Sequence, residues 1–72
     1  MSSVQDQGTV VGCNDLPILD APNGDAEFVA WLPMLTQVMI DHDKSTEDFY
    51  KIYTATSLEG YCEKKYIAIP LE

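Results

Sequence analysis

The chain contains no arginine. Arginine is the planar fork that grips phosphate and carboxylate in two places, and it dominates base readout in nucleic-acid sites. The only strongly basic residues are Lys44, Lys51, Lys64 and Lys65, set against twelve acidic residues, for a formal net charge of -8 over 72 residues. Direct binding of DNA or RNA would have to overcome the repulsion of those carboxylates, and it is set aside. An anionic membrane surface would repel the chain for the same reason.

Long hydrophobic runs are also missing. The most apolar stretch, Phe28 to Ile40, is too short to span a bilayer and is broken by Pro33, Thr36 and Gln37. The start, Met1-Ser2-Ser3-Val4-Gln5-Asp6-Gln7, has no basic segment followed by an apolar one, as an export signal would. A soluble, cytoplasmic protein is expected. Cysteine is scarce: Cys13 and Cys62 are far apart and form no C-x-x-C pair, so a thioredoxin-like role has no support. A bridge between them would close a long loop and be worth ~4 kcal/mol. In a cytosolic setting two buried thiols are favoured instead.

What is present is a chain with 46% hydrophobic and 22% charged residues, ordinary for a folded protein. It is long enough for one domain, which at this size buries only about 60% of the surface its unfolded form exposes. Residues 1–8 are polar and read as a tail, residues 9–70 as the domain, and Leu71-Glu72 as the dipeptide left by a cloning site.

Thr9 to Cys13 and Leu16 to Ala21 read as extended segments, with Pro17 restricting the second to an edge or a strand start. Pro22-Asn23-Gly24-Asp25 marks a tight turn. Beyond it, Phe28, Trp31, Leu32, Leu35, Val38 and Met39 recur at helical spacing. A helix over residues 26–42 would hold Pro33 inside it, at roughly 3 kcal/mol. Proline is welcome in a first helical turn. The favoured reading is therefore a strand over 26–32 and a helix over 33–42, with the kinked helix as the alternative. Phe49 to Thr56 and Tyr61 to Ile69 then form a hairpin around Ser57-Leu58-Glu59-Gly60. The expected fold class is α+β: a β-β-α-β-β domain with one helix on an antiparallel sheet.

Three groups of residues could carry function. Asp41, Asp43, Glu47 and Asp48 form the densest acidic run and surround His42, the single histidine. As a metal site the pattern is poor, because neighbours in sequence point apart and the alternation and glycine of a calcium loop are missing. No nucleophile near His42 sits in a catalytic context, and so short a chain has little room for an enclosed pocket. No catalysis, resident metal or cofactor is expected. Tyr50, Tyr53, Tyr61 and Tyr66 all fall on the C-terminal hairpin, where Tyr50 and Ile52 share one face and Phe49, Lys51 and Tyr53 the other. Tyrosine on an outward face is a common binding anchor. Trp31, Met34, Leu35, Val38 and Met39 are assigned to the core, since a chain this small needs its apolar residues there.

The resulting expectation is a small acidic interaction module. It would bind, and inhibit or regulate, a basic or nucleic-acid-binding partner protein by imitating nucleic acid. Asp41, Asp43, Glu47 and Asp48 would dock electrostatically and Tyr50 and Tyr53 would anchor. The alternatives are a self-associating accessory subunit, in the simplest case a homodimer, and a metal-dependent role around His42.

Overall fold

In the computed structural model, residues 5–69 are described. They form one seven-stranded antiparallel sheet with order β3-β2-β6-β5-β4-β1-β7. The strands are β1 (Gln5–Val10), β2 (Asp15–Leu19), β3 (Phe28–Pro33), β4 (Gln37–Asp41), β5 (Phe49–Tyr53), β6 (Glu59–Glu63) and β7 (Ile67–Ala68). Two single 3-10 turns, His42–Lys44 and Lys64–Tyr66, are the helical elements among them.

The expected α+β class is therefore wrong: the fold is essentially all-β, and no helix lies over residues 33–42. That segment is a turn followed by β4. Thr36 N–H donates to the Pro33 carbonyl, closing a four-residue turn, and Leu35 sits at its third position with φ +73°. From Gln37 onward the chain alternates, with Val38 and Ile40 buried and Gln37 exposed. Of the two readings of residues 26–32, the strand is the one that forms.

Alternation explains most of the sheet. Leu16 and Ile18 in β2, Val38 and Ile40 in β4, and Ile52 in β5 point to one side. With Val10, Leu32, Cys62 and Ile67 they build a single core. Gly60 lies between them in β6, opposite Ile52, rather than in the hairpin loop where the sequence placed it. A Cβ there would run into Ile18 Cγ2 and the Leu19 carbonyl oxygen, so only glycine lets β6 and β2 approach.

The sheet curls on itself. β1 and β2 are consecutive, yet β4, β5 and β6 separate them in the strand order. Four strand spacings in a flat sheet would be about 19 Å. The short link between them bends at Gly12, φ +77°, and does not run straight. The β3–β4 turn locks this closure: Leu35 N–H donates to the Val10 carbonyl at 2.7 Å and Met34 N–H to the Asn14 carbonyl at 2.9 Å. The sheet thus bends so that the turn after β3 reaches the end of β1, with β3 outside β2 and β7 outside β1 in the strand order.

Three smaller expectations also change. β1 starts at Gln5, so residues 5–8 belong to a strand and not to a tail; residues 1–4 and the dipeptide at 71–72 lie outside the described residues. Pro17 sits inside β2. It is tolerated because β2 pairs with β6 only at Leu19, leaving its other side without a ladder at Pro17. The turn at residues 22–25 is part of a wider loop held by Asn23, whose side-chain oxygen accepts from Asp25 N–H, and neither Asn23 nor Gly24 has positive φ. Both cysteines are free thiols, Cys62 buried and Cys13 half-buried. No helix among the described residues is long and apolar enough to cross a membrane.

Candidate functional site

The acidic run does not assemble into one site. The Asp41 carboxylate accepts from Asp43 N–H at 3.1 Å and its carbonyl from Ser45 Oγ at 2.9 Å, so Asp41 caps the turn that carries Asp43. Glu47 and Asp48 are exposed and line a shallow groove with Phe49, Glu63, Lys64 and Lys65, a surface of mixed charge. His42 contacts Asp6 at 3.3 Å and meets the Tyr50 ring edge-on. Among the described residues no three His, Cys, Asp or Glu side chains come together as a metal would require.

The tyrosines are largely engaged within the chain. Tyr50 faces inward against the core, with Lys64 Nζ 5.0 Å from its ring centre. Lys51 lies over Tyr61 and Lys65 over Tyr66, each at 5.3 Å. The hydrogen bond from Lys65 to Glu63 holds its ammonium pKa above the usual value. Three of the four lysines thus sit on tyrosine rings, a cation–π arrangement that ties up both partners. Tyr53 faces outward between Met39 and Glu59, half-buried beside Gln7 and Gln37.

The unengaged surface is elsewhere, on β3 and the turn after it. Phe28, Val29, Trp31, Met34 and Leu35 are exposed by 52%, 41%, 59%, 47% and 67%, and they are the exposed large hydrophobic residues among those described. The sequence had assigned Trp31, Met34 and Leu35 to the core; of that set Val38 alone is buried. The reason is local. Leu32 fills β3's single fully buried position, so Trp31 beside it must face out.

A bulge concentrates the aromatic surface. β2 and β3 pair as Pro17↔Trp31, Ile18↔Ala30 and Leu19↔Phe28, leaving Val29 without an opposite residue. The extra residue turns Phe28 to the same side as Trp31, and their rings lie 5.0 Å apart, tilted by 52°. Leu19 continues the row, since it is opposite both Phe28 and Tyr61. The outer face thus runs from aromatic on β3, through Leu19 and Tyr61, to Lys51 on β5 and Asp41 on β4.

The charged residues of the β2–β3 hairpin are all acidic. Asp15, Asp20, Asp25 and Glu27 are exposed on the β2–β3 hairpin, and no lysine or arginine precedes Lys44 in the sequence. Asp20 accepts from Glu27 N–H at 3.1 Å, which holds two of these acids together beside Phe28. Comparison with family models, with curated proteins and with solved structures finds no match to this chain.

Proposed function

We propose that this protein is a small, acidic, non-catalytic interaction module, and that its partner-binding surface is the β3 strand with the β3–β4 turn. The carrying observation is the exposure of Phe28, Val29, Trp31, Met34 and Leu35 on one strand and the turn that follows it, with the Phe28 and Trp31 rings in contact, on a chain with few apolar residues to spare. Exposed patches of this kind, rimmed by polar residues, mark interaction sites on small proteins. Tryptophan and aromatic neighbours supply the large rigid contact area that dominates interface energetics.

Leu35 strengthens the reading. An L-residue in the left-handed region costs roughly 1–2 kcal/mol, and glycine or asparagine would serve the turn better. Here a leucine holds that position and is the most exposed of the five hydrophobic residues. Strain kept where it adds nothing to the core points to a use outside the fold. The acidic surround then selects for a basic partner and speeds its approach, which keeps the regulatory role expected from charge but moves the contact from Tyr50 and Tyr53 to Trp31 and its neighbours.

The test compares two immobilised baits in lysate of the source cells: the native chain and a Trp31→Ser, Leu35→Ser variant with the same thermal melting profile. A protein retained by the native chain and lost from the variant is the expected result. Identical retention by both baits would overturn the assignment.

A further inference from the structure

We infer that the occupant of this surface is an extended segment of another protein, apolar side chains alternating with lysine or arginine, laid along β3. This rests on the reading of β3 as the binding surface and specifies what binds there.

The backbone sets the extended form. β3 is the last strand in the sheet order, and no described strand pairs with its outer side. Its ladder parity fixes which groups are open. Met34 N–H donates to the Asn14 carbonyl and Asp20 N–H to the Glu27 carbonyl, so these are hydrogen-bonded positions. Antiparallel pairs alternate between bonded and non-bonded, which makes Leu32 a bonded position and Trp31↔Pro17 a non-bonded one. Pro17 has no N–H to give, so it fits opposite Trp31 without loss. Trp31 accordingly turns its own N–H and C=O to the open edge, ready for an added strand. The bulge at Val29 and the missing N–H of Pro33 bound that edge on either side. The pairing is therefore short, and side chains must supply most of the affinity.

The side chains set the composition. Apolar partner residues would pack on Phe28, Trp31 and Leu35. Asp15, Asp20, Asp25 and Glu27 line the same hairpin with no cation among them, so the complementary segment is basic. Lysine or arginine has a second contact available over the exposed face of Trp31. The same charges argue against a second copy of this chain, whose β3 edge would bring its own acids against these and join two bodies of net charge -8.

The experiment selects a displayed library of random linear peptides on the intact native chain and measures the enriched peptides by fluorescence anisotropy. The expected peptides carry alternating apolar and basic residues. They lose about 10-fold or more in affinity on Trp31→Ala. They also weaken on Asp20→Asn with Glu27→Gln and as salt is raised. Peptides that depend on Trp31 but lack basic residues, or bind independently of salt, would overturn this inference while leaving the interaction surface in place. Absence of any Trp31-dependent peptide would overturn both. Sedimentation of the free protein supplies the remaining outcome: a dimer abolished by Trp31→Lys would make the occupant a second copy and overturn the inference. All three variants change exposed residues, and circular dichroism verifies that they fold.

Discussion

Phe28 and Trp31 lie three positions apart in one strand, yet their rings meet on the same face, 5.0 Å between centres. In a regular strand an odd spacing places side chains on opposite faces. The unpaired Val29 changes the count and builds an aromatic pair outside the core. Such a pair contributes little to stability, because both rings stay in water to a large extent. Trp31→Ala is expected to cost at most about 1 kcal/mol in urea denaturation. Ile52→Ala, which empties a fully buried site, is expected to cost roughly 2–5 kcal/mol. Comparable costs at the two sites would return Trp31 to a structural role.

The turn residue Leu35 gives a prediction of opposite sign. With φ +73° and a largely exposed side chain, it is a poor choice for the fold. Leu35→Asn should raise stability by up to about 1 kcal/mol, because asparagine tolerates this conformation. The same change should weaken partner binding. Loss of stability in thermal melting would show that Leu35 packs usefully in the free protein.

Gly60 should resist substitution. A methyl group there meets the Leu19 carbonyl oxygen at 2.7 Å, a backbone atom that cannot swing aside. Gly60→Ala is expected to cost about 1–3 kcal/mol, as overpacked interiors do. Gly24, whose Cβ would meet nothing within 4 Å, should accept alanine with little change. Equal tolerance at both glycines in denaturant titrations would refute the close β2–β6 approach.

The thiols should differ in reactivity and in their effect on pH stability. Burial pushes the Cys62 thiol up from its ordinary 9.0 to about 12, with the nearby Glu63 charge adding to the effect. Iodoacetamide at mildly alkaline pH should label Cys13 well before Cys62. Above pH 9 the unfolded chain loses the Cys62 proton while the native chain keeps it. Unfolding is therefore favoured increasingly from pH 9 toward 12, by about 1.4 kcal/mol per pH unit from this group. Below pH 9 its contribution is constant. The difference between the native chain and Cys62→Ala isolates this slope from the tyrosines, and a flat difference would show that the thiol is not shielded.

The sheet was partly legible because alternation leaves a direct mark. Leu16 to Ala21 read as an extended segment and Tyr50 with Ile52 as one face of a strand; in the structure Leu16, Ile18 and Ile52 are buried and Tyr50, expected as a partner-binding anchor, packs against the core. The segment from Phe28 to Ile40 misled for a physical reason. Its apolar residues serve two masters: Leu32, Val38 and Ile40 fill the core, while Phe28, Trp31, Met34 and Leu35 lie on the surface. Added together, the two sets imitate a helical stripe. Pro33 was the correcting signal, since it opens the turn that separates the strands. The surface patch was hidden by the assumption that so small a chain keeps every large apolar side chain inside. The acidic residues from Asp41 to Asp48 were conspicuous in sequence, but capping and dispersal leave them no common focus.

The central claim is that partners bind at β3 and not at the acidic run. Photo-crosslinking in the source cells, with a benzoylphenylalanine placed in turn at positions 28, 31 and 47, tests it most directly. Adducts of one defined mass from positions 28 and 31, absent from position 47, are the predicted result. Adducts from position 47 alone would contradict the account and place the contact on the acidic loop.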